Sequence, residues 1–484
     1  MIARHSVLSF LDALTELGIC FMVVFGPWVF GTTQPWAIEV MNVTGYTLGA
    51  LWGLSWFTRR VTGDYAPVIW PGQRAWHWGK TLDWALALLC LLILGFTLAS
   101  AWNARATYRP EGWSFIYHDI IPWLPHSYDQ ATSWRYFSMY LALAFAFWAV
   151  RSWLLHDPEL TEAPGNSDLA HGLLPPRLRR LLWLLSVNGA VLAMVSIIQR
   201  MDGTSELLWL VEARIHKNPL EIFGPFAYRA NAAQYFNLIW PVSLGLWWTY
   251  QRARTRHQHL DLIHPRIHHL LLSMVLLMAV CPVVSTSRGG AMVMAGLSVM
   301  AVAILLLAQW QAGWLRKASV FLILGLTIVM SVLLGWEEIG PRMETLQEGF
   351  ADREEMFYTG RRMAEDAPFF GTGPGSFNTL FQLYRNSSGE YWPAQLHNDW
   401  LETLITFGWP GLFLLLAALG VCLARWFAPG PSGIPADKYF VMLLWCAVGG
   451  CLVHARYDFP FQIHSILALF LILCAVLSAL FRRG

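Results

Sequence analysis

Charged residues are scarce in this chain. Asp, Glu, Lys and Arg make up 13% of its 484 residues, whereas hydrophobic residues make up 56%. A soluble globular domain has about twice that charged fraction. Long apolar runs are spread from one end of the chain to the other, so no segment is large and polar enough to fold alone in water. The composition indicates a polytopic membrane protein.

The chain also lacks a strong net charge and the cysteine spacing of a disulfide framework or metal site, and its first residues lack the pattern of a cleavable leader. The net charge of +2 is too small to indicate a nucleic-acid partner. The seven cysteines all lie in apolar runs without metal-ligand spacing, so we predict neither a disulfide framework nor a metal site. The first 20 residues have no long clean apolar core and no small-residue cleavage site. We therefore expect them to form part of a first span that is retained.

Apolar runs of sufficient length to cross a bilayer recur along the chain, since each provides about 20 residues of helix. They lie near 8–30, 36–57, 82–101, 134–155, 180–199, 231–250, 268–286, 289–309, 318–336, 397–424, 438–456 and 463–481. Connections rich in Arg and Lys alternate with every second run, and such connections are typical of the cytoplasmic side. The pattern predicts an all-α fold of about twelve transmembrane helices with both termini in the cytoplasm.

The longest connection on the opposite side of the membrane spans 337–396. It contains helical patterns separated by turn signals, such as the one from Gly371 to Gly375. Loops of this length are uncommon unless they are functional or disordered, and the aromatic residues of this one favour a folded, functional loop. The predicted divisions are N-terminal transmembrane helices (1–180), central transmembrane helices (181–336), this loop (337–396) and C-terminal transmembrane helices (397–484).

Arg288 lies between two apolar runs, in the segment VVSTSRGGAMVMAG. A guanidinium in that position is costly unless it faces water or a counter-ion. Its planar fork suits phosphate oxygens. Ser287 adds a hydroxyl, while Gly289 and Gly290 let a large ligand approach the first N–H groups of the next helix. The segment indicates an anion site, and the alternative is an arginine that extends to the lipid headgroups.

Two more arginines come before the run at 231–250. Arg229 lies in EIFGPFAYRANAAQYF, where the connection enters the span, and Arg214 lies earlier in the same connection. Each alone is a weak signal, because most single arginines in loops are solvated. Membrane-edge arginines on the side that carries the long loop are a stronger indication of an anion site when they are taken together.

His397 leads the segment QLHNDWLETLITFGWPG. A histidine at the start of a helix can take a proton from a hydroxyl nucleophile near neutral pH. Asp399 and Glu402 lie within the next two turns and could orient the imidazole or share its proton. The alternative is a capping cluster, in which His397, Asn398 and Asp399 satisfy the first free N–H groups of the helix.

Weaker candidates lie in the long loop and near the C-terminus. We expect Arg361 and Arg362 to be surface charges, with contact to a glycan or phosphate as the alternative. Arg456 and Asp458, in HARYDFPF, are expected to form an ion pair on the same side. The segment GTGPGSF has neither the strand–helix context nor the Lys-Ser/Thr of a nucleotide-binding loop, so we expect a tight turn.

Taken together, TSRGG, GRRMAEDAPFFGTGPGSF and HNDWLETLITFGWPGL resemble the O-antigen ligase and O-antigen polymerase superfamily of bacterial membrane glycosyltransferases. The resemblance covers roughly residues 180–425. It implies a GT-C fold in the bacterial inner membrane and transfer of a glycan from undecaprenyl diphosphate at the periplasmic face. It also implies inversion of the anomeric centre without metal or nucleotide, so no cofactor is expected. The acceptor would be the lipid A core for a ligase and a second lipid-linked repeat for a polymerase.

The resemblance also implies roles for individual residues. Carried over by position, Arg288 would bind pyrophosphate and His397 would act as the base. Arg229 is the preferred match for a second pyrophosphate-binding arginine because GPFAYR fits the family pattern without a gap, although RAN departs from it, and Arg214 is the other candidate. The remaining predicted substrate-binding residues are Ser287, Asn398, Asp399 and Arg361.

The sequence therefore predicts a polysaccharide ligase that acts on lipid-linked glycans in lipopolysaccharide biosynthesis. The first alternative is an O-antigen or exopolysaccharide polymerase, which shares the donor. A transporter or flippase is less favoured, because it predicts paired charges near the middle of the membrane and inverted repeats. Here the ionisable residues cluster at the outer edge. The expected partners are the glycan donor, a lipid or glycan acceptor and membrane lipids.

Overall fold

Helices dominate the computed structural model, which describes residues 2–63, 78–160, 173–215, 217–256, 267–310, 314–344, 346–385, 393–428 and 433–482. In chain order they are α1 (Ile2–Trp28), α2 (Pro35–Thr62), α3 (Trp78–Trp102), α4 (Gln130–Leu155), α5 (Pro176–Asp202), α6 (Arg229–Arg256), α7 (Leu270–Val284), α8 (Arg288–Ala308), α9 (Trp314–Glu344), α10 (Leu346–Asp366), α11 (Phe377–Tyr384), α12 (Asp399–Ala424), α13 (Lys438–His454) and α14 (His464–Ala479).

Short strands form three small sheets in the described ranges. The strands β1 (Ala106–Arg109) and β2 (Ser114–Tyr117) are antiparallel, with Ala106 opposite Tyr117. A second antiparallel pair joins β3 (Glu206–Leu207) and β4 (Val211–Glu212). The strands β5 (Ile434–Ala436) and β6 (Leu480–Arg482) are parallel. All three sheets have two short strands, so the fold is that of an all-α membrane protein.

Within the described residues, six helices are long and apolar enough to cross a membrane. They are Val7–Trp28, Gly79–Trp102, Gln130–Leu155, Pro176–Asp202, Arg288–Ala308 and Asp399–Phe427. Four shorter apolar helices are Leu270–Val284, Gly325–Glu337, Lys438–His454 and His464–Ala479. Each predicted apolar run falls on a helix, which fits an integral membrane protein. The count of twelve spans and their direction stay predictions.

The helix α6 lies at the centre of the bundle. It packs on α5, α7, α8 and α13. Every residue from Ala230 to Tyr250 is buried, including Asn231, Gln234 and Asn237. A helix that is buried on all sides is held by its neighbours along its whole length. The backbone position of its first residue, Arg229, is therefore fixed.

Side-chain caps determine where several helices begin. In each of them an oxygen of the capping side chain accepts a hydrogen bond from a backbone N–H of the first turn. The caps are Asp129 for α4, Ser287 for α8, Asn398 for α12 and Asp437 for α13. Two of these caps, Ser287 and Asn398, are themselves among the residues that the sequence predicts to be functional.

The long connection is folded rather than extended. The helix α9 runs through Pro341 to Glu344, beyond the predicted start of the loop at 337, and α10 and α11 form much of the remainder. Buried apolar side chains of α10, α11 and α12 form one small cluster, which includes Met363, Phe377 and Ile405. This cluster attaches the connection to the start of α12.

Gly408 interrupts α12 where the connection docks on it. Its backbone has φ 64° and ψ −174°, a combination that only glycine adopts readily. An added Cβ would lie 2.3 Å from the carbonyl oxygen of Phe369. At this break, the amide of Thr372 donates to the carbonyl of Ile405 at 2.8 Å, and the amide of Trp409 donates to that of Pro368 at 3.0 Å. The glycine thus lets the connection hydrogen-bond with the helix backbone.

We expect Gly408→Ala to destabilise the protein by about 1–3 kcal/mol, because the substitution forces a strained backbone and a clash with the connection. Thermal unfolding of the purified protein in detergent measures the effect. Gly420→Ala on the same helix is the matched control, since nothing lies within 4 Å of an added Cβ there. An unfolding temperature unchanged by Gly408→Ala would contradict the docking role.

Candidate active site

His397 comes directly before α12 and is enclosed by three side chains. Its Nδ1 lies 3.0 Å from Oδ1 of Asp458. The imidazole packs edge-on against the rings of Tyr228 and Phe459, with centroid distances of 5.9 and 4.8 Å. Its backbone has φ 58°, a conformation that is uncommon for a residue other than glycine. Strained residues of this kind cluster at active sites, so the geometry makes His397 a candidate.

Asp458 follows the end of α13 and holds this imidazole. Its carboxylate is buried, with 5% of the side chain exposed. Besides His397, it accepts hydrogen bonds from the amide of Phe459 at 3.1 Å and from the hydroxyl of Tyr228 at 3.4 Å. From this pattern we assign the imidazole proton to Nδ1. Nε2 then carries the lone pair and is able to accept a proton.

Two opposing effects set the pKa of Asp458. Burial raises the pKa, but the hydrogen bond and charge of His397, followed by the charges of His454 and Arg353, lower it, and the net pKa lies below the ordinary value. The group is therefore a carboxylate at neutral pH. A fixed negative charge beside Nδ1 stabilises the imidazolium that forms when Nε2 takes a proton.

A cavity of about 1110 Å³ extends from this pair between α8 and α13. Tyr228 and Asp458, which both contact His397, line it. The same end of the cavity holds three arginines, Arg229, Arg288 and Arg353. Away from that end the walls are apolar, and they include Met292, Leu297, Met300, Ile304, Trp445 and Val453.

Separate parts of the chain bring these arginines together. Arg288 is the first residue of α8 and follows the cap Ser287. Arg229 is the first residue of α6. Arg353 belongs to α10, and its Nη1 donates to the carbonyl of Tyr457 at 2.7 Å, which anchors the long connection beside Asp458. Three guanidiniums at one end of a cavity make that end a candidate anion site.

A single carbonyl links two of the arginine-bearing segments. The backbone oxygen of Leu220 accepts a hydrogen bond from Nη1 of Arg229 at 3.0 Å and another from the hydroxyl of Thr286 at 2.9 Å. Thr286 has φ 61° and lies two residues before Arg288. This bridge fixes the starts of α6 and α8 relative to each other, and with them the spacing of their arginines.

Of the other predicted site residues, Ser287 lies at the cavity and the rest lie elsewhere. Arg214 and Arg361 are exposed and are not among the residues that line the cavity. Asn398 caps α12 by accepting from the amide of Leu401 at 3.3 Å. Ser287 lines the cavity, and it also caps α8. The capping alternative therefore accounts for the hydrogen bond of Asn398.

Two expectations about acidic partners are wrong. Asp399 does not contact the imidazole: it is buried and accepts from the amide of Phe461 at 2.7 Å and from Nε2 of Gln462 at 3.1 Å. Glu402 accepts from the amide of Leu396 at 2.7 Å. Both carboxyl groups therefore accept hydrogen bonds from backbone N–H groups at or just before helix starts, where N–H groups have no acceptor within a helix.

Asp458, and not Asp399 or Glu402, is the acidic partner of the imidazole. The prediction of an ion pair between Asp458 and Arg456 is wrong. The guanidinium of Arg456 instead lies over the rings of Phe357 and Tyr457, at 5.9 and 6.0 Å from their centroids. Tyr228 and Arg353 are not distinguished by any pattern in the sequence. In the sequence, the only indication of a role for Asp458 is that its segment, HARYDFPF, is polar and lies between two apolar runs. Its contact with a histidine 61 residues away is visible only in the fold.

The comparisons agree with the motif analysis. Residues 273–416 match the family model described as O-antigen ligase. This segment contains Arg288, Arg353 and His397. The match confirms the resemblance to the O-antigen ligase and polymerase superfamily of membrane enzymes. A comparison with curated protein sequences finds no match. In the described ranges, no group of three or more His, Cys, Asp or Glu residues could hold a metal ion.

We expect Asp458→Asn to lower the free energy of unfolding at neutral pH by about 1–3 kcal/mol, because a buried hydrogen-bonded charge is lost. The unfolding temperature should fall accordingly. The folded pKa of Asp458 is lowered, so its contribution is present above the ordinary value of 3.8 and is lost as pH falls through the lower folded value. Thermal unfolding of both proteins across pH measures this. Equal unfolding temperatures at neutral pH would contradict it.

Proposed function

With residues 273–416 in the O-antigen ligase family, we propose that this protein transfers a glycan from undecaprenyl diphosphate to a hydroxyl of the lipid A core. The reaction takes place at the periplasmic face of the inner membrane. One observation carries the proposal: a cavity with arginines at one end, whose wall contains the carboxylate that holds His397.

The shape and charge of the cavity suit a polyprenyl diphosphate donor. Arg229, Arg288 and Arg353 supply positive charge at one end, where the pyrophosphate would bind. The lining of α8 runs from Gly289 to Leu307, which is about 27 Å at the rise of an α-helix. That length is close to the thickness of the hydrocarbon core, so the prenyl chain would lie along it in the membrane.

The reaction follows from these positions. The acceptor oxygen attacks C1 of the donor sugar from the side opposite the phosphate, and the bond from C1 to the phosphate oxygen breaks with inversion. Nε2 of His397 takes the proton of the acceptor hydroxyl, and Asp458 stabilises the imidazolium. The arginines stabilise the negative charge that develops on the pyrophosphate, an effect of about 3 kcal/mol for one such donor.

The long connection excludes water from this reaction. Its helix α10 carries Arg353, which is hydrogen-bonded to the carbonyl of Tyr457 next to Asp458. Its following segment is hydrogen-bonded to the break in α12. Arg353 thus brings the connection to the arginine end of the cavity, and closure of that end by the connection would favour transfer to the acceptor over hydrolysis of the donor.

A polymerase shares the donor and this chemistry and differs in its acceptor. Incubation of the purified protein with an undecaprenyl-diphosphate glycan and both acceptors distinguishes the functions. We expect product on the lipid A core. A ladder of products on the carrier lipid would instead support the polymerase, and movement of the donor across the bilayer without any product would contradict both.

We expect His397→Ala and Arg288→Ala each to reduce transfer by at least about 10²-fold, because they remove the base and a charge that stabilises the leaving group. Transfer by protein in liposomes measures this. Thermal unfolding and membrane insertion of the variants are the controls. Transfer at the wild-type rate by a correctly inserted variant would remove that residue from the mechanism.

A comparison of Arg229 with Arg214 tests which is the second phosphate ligand. We expect Arg229→Gln to reduce transfer by about 10²-fold, since it removes the charge while an amide N–H is still able to donate to Leu220. Arg214→Gln is the matched control and should leave the rate within about threefold, as expected for a solvated surface charge. The reverse order of effects would assign the role to Arg214.

A further inference from the structure

A second cavity, of about 240 Å³, lies among α3, α4, α12 and α14. The helix α4 packs on α3 and α14, and α12 packs on the same two helices, so the four helices form a ring around it. Most of its wall is apolar and includes Leu86, Leu143, Phe147, Leu415, Phe470 and Leu471. The α4 lining runs from Tyr136 to Phe147, about 16 Å along the helix axis. The space is therefore narrow, long and apolar.

One end of this cavity is polar. The hydroxyl of Tyr136 donates to Oε1 of Gln462 at 2.9 Å, and Nε2 of Gln462 donates to Oδ1 of Asp399 at 3.1 Å. Glu402 lines the same end. Both carboxyl side chains are buried. The lining thus combines an apolar length with a hydrogen-bonding end that is rich in acceptors.

The two cavities differ in the cations that line them. The larger cavity has three arginines, which attract phosphate. The lining residues of the smaller one include two carboxyl groups and neither Lys nor Arg. A phosphate headgroup placed there would have no Lys or Arg to pair with. A hydroxyl needs no cation and donates a hydrogen bond to a carboxyl oxygen.

We propose that this cavity binds one alkyl chain of an amphiphile whose headgroup carries hydroxyls and no phosphate. The chain lies against the apolar walls, where water would find few partners. A headgroup hydroxyl donates to Asp399 or Glu402 at the polar end. The site is distinct from the cavity that holds the arginines, and its occupancy does not depend on the proposed transfer reaction.

Photo-crosslinking tests the proposal. The protein in lipid nanodiscs is illuminated with a dodecyl glycoside that carries a diazirine in its chain, and the labelled residues are mapped by mass spectrometry. We expect labels on the lining of α4 and α12. Ala418 is part of that lining, so Ala418→Phe fills the cavity and should reduce labelling there about tenfold, because buried chain contacts are lost.

Gly420→Phe is the matched control, because Gly420 is exposed on the same helix with nothing within 4 Å of an added Cβ. It should leave labelling unchanged. Labelling that Ala418→Phe does not reduce would overturn the proposed site. The transfer reaction is not part of this measurement, so failure here and failure of the proposed function are distinguishable.

A second comparison tests the selectivity. A phosphatidylglycerol analogue with the same diazirine chain should label the lining at least about tenfold less than the glycoside, because no Lys or Arg lines the cavity to pair with the phosphate. Glu402→Gln removes one carboxyl group and keeps an oxygen that can accept from Leu396. This variant should reduce the difference in labelling between the glycoside and the phosphatidylglycerol analogue. Equal labelling of the wild-type lining by the two probes would overturn the assigned headgroup chemistry.

Discussion

The hydrogen bond between His397 and Asp458 is the contact on which the candidate site depends. It joins the start of α12 to the segment between α13 and α14, at 3.0 Å. The carboxylate keeps its charge although it is buried, because the imidazole and nearby cations offset the cost of burial. Tyr228 hydrogen-bonds to Asp458 and packs against the imidazole. The position of the proposed base therefore depends on three parts of the chain.

The proposed anion site is rigid for a different reason. Arg229 begins a helix that is buried over most of its length, and Arg288 begins another whose cap is Ser287. The carbonyl of Leu220 accepts hydrogen bonds from both regions. Arginine side chains are flexible, so they stabilise a developing charge efficiently only if their helices and loops are already in place. The folded long connection adds Arg353 to them.

The presence or absence of arginines distinguishes the two cavities, although their polar ends are neighbours. The backbone amide of Asp399, which lines the smaller cavity, donates to the carbonyl of Asp458, which lines the larger one, at 3.2 Å. On one side of this partition the lining contains three arginines, and on the other it contains two buried carboxyl groups and neither Lys nor Arg. A membrane enzyme with lipid-soluble ligands can distinguish them by headgroup charge, because alkyl chains differ little in their interactions with apolar walls.

Composition and apolar runs alone predict a helical membrane protein, because about 20 apolar residues per helix is a local requirement of the bilayer. The positions of Arg288 and His397 at span boundaries are also visible in the sequence. The partner of the histidine is not, since Asp399 and Glu402 are nearer along the chain, yet local backbone amides engage them. Only the tertiary structure places Asp458, 61 residues away, against the imidazole. Asp399 and Trp400 at the start of α12 donate hydrogen bonds to the carbonyls of Ala455 and Leu452 at the end of α13. These contacts position Asp458 beside the imidazole, and local spacing carries no information about them.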